Sequence, residues 1–268
     1  MNEAVKGQSA DLITLRFDGD IAIVGLNRPE KRNALSDRLV EALADTIATV
    51  NKKARAVVLH GHGKHFSAGL DLSEHISRST TEGMAHSRGW HHIFERIEQA
   101  SIPWISAIHG ATVGGGLELA AATHIRVADE DAYFALPEGQ RGIFVGGGGS
   151  VRISRLIGAA RMIDMMLTGR VVTAEVAERW NLVQYLTEKG KSLEKALELA
   201  ARIVTNAPFS NYAIINALPR IHDLSRSDGL FLESALAAIS AGTDDAKQRL
   251  REFLDKKSGK VEKPGGDR

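Results

Sequence analysis

The order of the predicted elements is the feature that most restricts how this chain folds. Short apolar runs rich in β-branched residues alternate with helical patterns over roughly the first 190 residues, and helical patterns alone follow. This order favours an α/β core with a helical C-terminal layer, because alternating strands and helices build a sheet covered by helices. We expect a helix over 151–167 and almost only helices over 173–257.

The clearest local signals lie near the N-terminus. Two apolar runs, 12–17 and 21–26, are joined by an Asp-Gly-Asp turn, which predicts a β-hairpin. Ser36 then precedes an amphipathic pattern that places Leu39 and Leu43 on one face. Ser36 is the predicted N-cap, because a serine hydroxyl can accept a hydrogen bond from a free amide of the first helical turn.

Composition excludes several classes of protein. The chain has a net charge of +1 and contains no cysteine, so a basic nucleic-acid-binding face, disulfides and thiolate chemistry are not expected. No apolar run approaches the roughly 20 residues that cross a bilayer. The N-terminal residues also lack the apolar stretch of a secretory signal, and we therefore expect a cytoplasmic location.

Three consecutive glycines join a predicted strand to a predicted helix. The strand covers Trp104–His109, the glycines are Gly114–Gly116, and the helix opens with Leu117–Ala122. Glycine lets a ligand approach the backbone closely, and the first amides of a helix are free to donate hydrogen bonds. The segment is therefore typical of a site that holds an anion or a developing oxyanion.

Spacing excludes other sites of similar composition. The three glycines lack the pattern of a dinucleotide-binding fingerprint, and no Ser or Thr follows Lys64 as it would in a P-loop. Ser67 is not part of a nucleophile elbow, because His65 occupies the first glycine position of that motif. The histidines lack the spacing of a zinc-binding helix, so no metal site is predicted.

Several motifs, taken in order, resemble those of the crotonase (enoyl-CoA hydratase/isomerase) superfamily. They include Leu26–Leu35 (LNRPEKRNAL), Ser67–Leu72 (SAGLDL) and Gly114–Glu118 (GGGLE). The resemblance implies a spiral of ββα units that forms an acyl-CoA-binding core over 1–200. It also implies a helical C-terminal region over 201–268 that builds homo-trimers, often paired into hexamers.

The same resemblance implies an acyl-CoA substrate and assigns its binding residues. The amides of Leu70 and Gly115 would bind the thioester oxygen, and Gly146 would help to polarise the thioester from a helix start. Three further positions match those that line the CoA binding region: Lys31, Ala68 and Leu72. Because CoA is part of the substrate, no separate cofactor is expected, and neither nucleic acid nor a membrane is an expected partner.

Two glutamates point to the reaction. Glu118 and Glu138 match the two carboxylates of hydratases in that superfamily. Two carboxylates can divide acid and base roles when their environments separate their pKa values. We therefore expect Glu118 to activate water and Glu138 to protonate the α-carbon of an enoyl-CoA, which makes the protein an enoyl-CoA hydratase.

Other activities stay open at the level of sequence, because a shared fold does not fix the reaction. The alternatives are an enoyl-CoA delta-isomerase, another reaction of the superfamily on a branched or aromatic acyl-CoA, and a catalytically silent acyl-CoA-binding or RNA-associated protein. Leu70 and Val145 differ from the residues that are common at their positions in the superfamily. These differences leave the identity of the acyl group open. A basic tail (Lys256, Lys257, Lys260 and Lys263) is either a solvated terminus or a contact for CoA phosphates.

Overall fold

The structure is a computed structural model that describes residues 12–74, 76 and 78–255. Its strands are β1 (Ile13–Asp18), β2 (Ile21–Leu26), β3 (Ala56–Gly61), β4 (Trp104–Ile108), β5 (Ala111–Val113), β6 (Ile125–Asp129), β7 (Tyr133–Ala135), β8 (Val172–Thr173) and β9 (Tyr185–Thr187). Its α-helices are α1 (Asp37–Lys53), α2 (Thr80–Glu98), α3 (Gly115–Ala122), α4 (Gly149–Ile157), α5 (Ala159–Thr168), α6 (Ala174–Arg179), α7 (Ser192–Ile203), α8 (Pro208–Asp223), α9 (Arg226–Gly242) and α10 (Asp244–Leu254). Short 3-10 helices cover Pro29–Lys31, Leu72–Glu74 and Gly139–Arg141.

The main sheet has six strands in the order β1-β2-β3-β4-β6-β9. The predicted hairpin is confirmed: β1 and β2 are antiparallel, Asp18 lies opposite Ile21, and Gly19 adopts a positive φ of 55° in the turn. The remaining pairs in this sheet are parallel. Ser36 caps α1 as predicted, by accepting a hydrogen bond from the Leu39 amide.

Both faces of the main sheet are covered, which is why β2 and β4 are buried along their whole length. One face packs into the larger core with the apolar side of α1, which includes Leu39, Leu43 and Ile47. The other face packs against Ala196, Leu199 and Ala200 of α7. The strongly apolar strands therefore follow from a sheet that lies between two helical layers.

A second sheet, in the order β5-β7-β8, gives the core its spiral character. After β4 the chain adds β5 to the second sheet, returns to the main sheet with β6, and moves back with β7. Helix α3 begins two residues after β5 and leads back to β6 in the main sheet. The α/β fold expected from the alternation of strands and helices is confirmed, and the switch between sheets places several loops at one edge.

Two parts of the C-terminal prediction were wrong. The region over 173–257 was expected to be almost entirely helical, yet β9 lies within it and β8 overlaps its start. Both strands are two or three residues long, too short to show a periodic pattern, and pairing with β6 and β7 is what fixes them. The helix expected over 151–167 is instead two helices, because Gly158 adopts a φ of +85° that ends α4 before α5 begins.

The chain divides into two compact units, one up to Thr205 and one from Asn206. Within the described part of the second unit, α8, α9 and α10 are connected by short turns, and Ser225 and Thr243 cap α9 and α10. The basic tail predicted from Lys256 onward lies outside the described residues. None of the helices in the described ranges is long and apolar enough to span a bilayer.

Asp129, at the end of β6, links the main sheet to α7. Its carboxylate is 2% exposed. It accepts hydrogen bonds of 2.7–3.2 Å from three backbone amides and one hydroxyl, those of Gly190, Lys191, Ser192 and Thr187. This single side chain therefore satisfies the free amides that lead into α7 and holds that helix on the sheet.

We expect Asp129→Ala to lower the free energy of unfolding by about 2–4 kcal/mol, because it strands several buried amides without a partner. Urea titration followed by circular dichroism measures this change. Asp131→Ala is the matched control, since Asp131 lies two residues away and pairs with the exposed Lys189 on the surface. Its expected cost is below about 1 kcal/mol, and equal losses in the two variants would contradict the anchoring role of Asp129.

Candidate active site

A cavity of about 240 Å³ lies where the loop after β3 and the start of α3 meet α2 and the segment between β7 and α4. It brings together seven of the eight residues that the sequence singled out: Ala68, Leu70, Leu72, Gly115, Glu118, Glu138 and Gly146. The eighth, Lys31, lies on an exposed 3-10 helix and is not part of the cavity wall. Residues far apart in sequence thus share one concave site.

The amide of Leu70 is the first candidate donor for an oxyanion. Leu70 forms a parallel β-bridge with Leu35, in which the Leu35 amide donates to the Gly69 carbonyl at 2.7 Å and the Asp71 amide donates to the Leu35 carbonyl at 3.0 Å. This bridge uses the groups on either side of Leu70, so its own N–H points away from Leu35. In the described part of the chain, no group accepts a hydrogen bond from it.

The amide of Gly115 is the second candidate donor. Gly115 is the first residue of α3, and the Gly114 carbonyl is already taken by the amides of Leu117 and Glu118, at 2.8 and 3.0 Å. The Gly115 amide therefore has no acceptor within the helix, as expected at a helix start. The helix dipole adds partial positive charge at the same place.

These two amides come close together because the backbones that carry them touch. Gly69 adopts a φ of +90°, and a Cβ atom there would lie 2.4 Å from the Val113 carbonyl oxygen. A Cβ atom on Gly115 would lie 3.4 Å from the Leu70 nitrogen. Two free amides that line one cavity on backbones in direct contact have the arrangement of an oxyanion hole.

Two buried side chains hold the loop that carries Leu70. The amide nitrogen of Asn33 donates to the carbonyls of His62 and His65 at 2.9 and 2.8 Å. The Ser67 hydroxyl donates in turn to the Asn33 carbonyl at 2.8 Å, and both side chains are fully buried. Asn33 belongs to the Leu26–Leu35 motif, so in this structure part of that motif serves to fix the loop.

Glu118 is a buried carboxylate that is bound by backbone amides. It lies on α3 and is 3% exposed. Its Oε1 atom accepts hydrogen bonds from the amides of Gly147 and Gly149, both at 2.8 Å. A Cβ atom on Gly149 would lie 2.8 Å from Glu118 Cγ, so only glycine fits there without displacement.

The amides at the start of α4 bind a carboxylate of the protein itself. The resemblance implied that Gly146 helps to polarise the thioester from a helix start. Gly146 lies in the cavity wall but three residues before α4 begins at Gly149, and its contact with a thioester stays a prediction. The first amide of α4 is directed at Glu118, so the positive end of this helix stabilises the carboxylate of the protein itself.

Glu138 has a contrasting environment. It is 6% exposed, and its Oε2 atom is buried without a hydrogen-bond partner among the described residues. A Cβ atom on Gly114 would lie 2.7 Å from Glu138 Oε1, so the carboxyl group packs directly against the turn that precedes α3. Such a carboxyl has little to stabilise a negative charge.

Burial raises the pKa of both carboxyl groups, but the neighbours of each group act differently. For Glu118, the amides of Gly149 and Gly147 oppose the rise. Burial raises the pKa of Glu138 to about 7, and the negative charge of Glu118 adds to the rise. The neighbours therefore separate the two groups: backbone amides favour the charged form of Glu118, and the surroundings of Glu138 favour its protonated form.

One face of α2 completes the cavity, and most of it was missed at the level of sequence. Gly83, His86, Ser87 and Trp90 line the wall together. Their spacing of three, four and seven residues is the signal that could have identified them, since it places them on one side of a helix. Trp90 is 5% exposed and packs in the core, yet it also faces the cavity.

Comparison with known proteins agrees with this arrangement. The sequence model of the enoyl-CoA hydratase/isomerase family matches residues 16–263. A crystal structure from Rhodopseudomonas palustris, of a protein provisionally named an enoyl-CoA hydratase, is 51% identical, covers 95% of this chain and 98% of its own, and superposes with a TM-score of 0.90.

Curated relatives extend the comparison. The short-chain-enoyl-CoA hydratase of Clostridium acetobutylicum is 32% identical over 91% of this chain and 95% of its own. The 2,3-dehydroadipyl-CoA hydratase of Escherichia coli is 31% identical over 89% of this chain and 93% of its own. The chain therefore belongs to the enoyl-CoA hydratase/isomerase family, within the crotonase superfamily that its motifs indicated.

We expect the Glu138 carboxyl to titrate near pH 7, as followed by infrared difference spectroscopy with Glu138→Gln to assign the band. Arg141→Gln should raise this pKa, because the positive charge of Arg141 lowers it. Glu118→Gln should lower it, because a neighbouring negative charge is removed. Arg202→Gln, on the exposed surface of α7, is the control and should leave the band unchanged. A lower pKa in Arg141→Gln or a higher pKa in Glu118→Gln would contradict the assignment.

Proposed function

We propose that this protein is an enoyl-CoA hydratase, which adds water reversibly across the 2,3 double bond of an enoyl-CoA thioester. The observation that carries this proposal is one cavity that holds two convergent backbone amides and two buried carboxyl groups of unlike environment. The names of its relatives supply the substrate class, and the side chains in the cavity supply a chemistry that suits it.

The amides of Leu70 and Gly115 would bind the thioester oxygen. Attack at the β-carbon moves an electron pair onto that oxygen and produces an enolate. Fixed donors in a site that excludes water stabilise such a charge, and removing one donor from comparable sites costs about 3–4 kcal/mol in the barrier. Backbone amides supply this stabilisation without a side chain, so it does not depend on which acyl group is bound.

The two glutamates would then move the protons. Glu118, kept anionic by two amides, removes a proton from water while the water oxygen bonds to the β-carbon. Glu138, protonated near neutral pH, gives its proton to the α-carbon as the enolate collapses. The net change is the addition of one water molecule, and proton exchange with solvent restores both groups. The reverse reaction exchanges the two roles.

Several finer assignments belong to the same proposal. The substrate is an acyl-CoA, CoA is part of that substrate, and no separate cofactor takes part in these steps. We propose a homo-trimer or a dimer of trimers, which is supported by large apolar side chains that a single chain leaves exposed on α9 and α10, such as Phe231 and Leu254. A cytoplasmic location is supported by the absence of cysteine.

The test of the proposal is loss of enoyl-CoA absorbance with crotonyl-CoA and with longer 2-enoyl-CoA thioesters. Wild type should hydrate at least one of them. Glu118→Gln and Glu138→Gln should each lower kcat by about 100-fold or more, because each removes a proton-transfer group while keeping its shape. Glu95→Gln, on the exposed side of α2, is the control and should retain wild-type activity.

Three results would count against hydration. Two glutamine variants that both hydrate within about tenfold of wild type would exclude the two-carboxylate mechanism. A wild type that consumes no 2-enoyl-CoA but moves the double bond of a 3-enoyl-CoA is an isomerase. Binding of CoA thioesters without any turnover would identify a silent acyl-CoA-binding protein.

A further inference from the structure

The peptide group between Gly146 and Gly147 is held at both ends. Its N–H, that of Gly147, donates to Glu118 Oε1 at 2.8 Å. Its C=O, that of Gly146, accepts a hydrogen bond from the Ser87 hydroxyl at 2.7 Å. A line of two hydrogen bonds therefore runs from a side chain on α2, through one peptide group, to the buried carboxylate.

The next peptide group along the segment is fixed separately. The Gly147 carbonyl accepts a hydrogen bond from Arg152 Nη1 at 3.1 Å, and Arg152 Nε donates to Glu98 Oε2 at 2.7 Å. Arg152 lies on α4, and Glu98 is the last residue of α2. The glycine-rich segment has no side chains of its own to hold it, so these contacts with α2 and α4 are what define its path.

We infer that Ser87 is a positioning residue for Glu118, which acts through the Gly146–Gly147 peptide group. The role rests on the proposed function, in which Glu118 is the base. Ser87 orients the peptide so that its N–H points at the carboxylate. It also strengthens that N–H as a donor, because a hydrogen bond to the carbonyl end of a peptide polarises the group.

The position of Ser87 separates this role from simple packing. Its side chain lies on the cavity wall beside His86 and Trp90, so it is not part of the buried core. The side chain of Ser87 is only partly buried. A threonine keeps the hydroxyl group that donates to the Gly146 carbonyl, so Ser87→Thr is the conservative variant.

The effect on pH dependence has a definite sign. Hydrogen bonds to the charged form of a carboxyl lower its pKa, so a weaker N–H from Gly147 raises the pKa of Glu118. Less of the base is then ionised at low pH, and the acidic limb of the rate profile moves to higher pH. The other groups that act on Glu118 are Glu138 from the segment after β7 and His91 from α2, with the Arg152 cation against the glycine-rich segment. Glu138 and Arg152 keep their own contacts in a Ser87 variant. His91 Nε2 lies 3.4 Å from Ser87 Oγ, so Ser87→Ala also removes this contact, whereas Ser87→Thr keeps a hydroxyl group beside both His91 and the Gly146 carbonyl.

The experiment compares Ser87→Ala and Ser87→Thr with wild type in the hydration assay between pH 5 and pH 9. We expect Ser87→Ala to lower kcat by about tenfold at neutral pH and to move the acidic limb up by at least ~0.5 pH units. Ser87→Thr should restore most of both. Ser154→Ala is the matched control, because Ser154 also donates to a helix carbonyl but lies on an exposed part of α4.

A second measurement does not depend on turnover. The Glu118 carboxylate band is assigned in infrared difference spectra with Glu118→Gln, and its titration is followed in each Ser87 variant. It should move to higher pH in Ser87→Ala and return in Ser87→Thr. This titration can be measured whichever reaction the protein catalyses. Failure of the proposed function would appear in the hydration assay of wild type and Glu118→Gln, whereas failure of the inference would appear in the Ser87 variants.

The inference is overturned by either of two results. In the first, Ser87→Ala leaves kcat, the acidic limb and the Glu118 titration at their wild-type values. In the second, Ser87→Ala lowers kcat equally at every pH and Ser87→Thr gives no recovery, which would mark Ser87 as a structural residue only.

Discussion

The whole site depends on places where two stretches of backbone touch with no side chain between them. At Gly69 a Cβ atom would lie 2.4 Å from the Val113 carbonyl, and at Gly110 it would lie 2.2 Å from the Lys64 carbonyl. These contacts join the loop after β3 to the end of β5 and to the turn between β4 and β5. Without them the amides of Leu70 and Gly115 would be too far apart to bind one oxygen atom, and α3 would not place Glu118 beside Glu138.

The sequence alone predicted a structural feature correctly wherever the signal for that feature was local or formed part of a motif. The hairpin followed from an Asp-Gly turn, the start of α1 from Ser36, and a free amide at Gly115 from glycines placed before a helix. The grouping of Leu70, Gly115, Glu118 and Glu138 came from motifs whose order matches a known superfamily. These residues lie in three separate segments, so no pattern within any one segment could have brought them all together.

The features that could not be predicted from the sequence depend on contacts with other parts of the fold. The strands β8 and β9 are fixed by pairing with β7 and β6, and their own two or three residues carry no periodicity. The structural role of glycines 146–149 could not be predicted from composition. Which acceptor a glycine amide finds is decided by the packing of α3 against α4, and here the acceptor is the Glu118 carboxylate.

Helix α2 supplies the wall of the cavity and also anchors the segment that binds Glu118. Ser87 contacts Gly146, Glu98 pairs with Arg152, and Trp90 packs 3.0 Å from where a Cβ atom of Gly115 would lie. One helix therefore both lines the cavity and anchors the scaffold of the Glu118 carboxylate. If the proposed function holds, a change of α2 that reshapes the cavity for a new acyl group would also disturb the base, so substrate range and catalytic rate would be coupled through this helix.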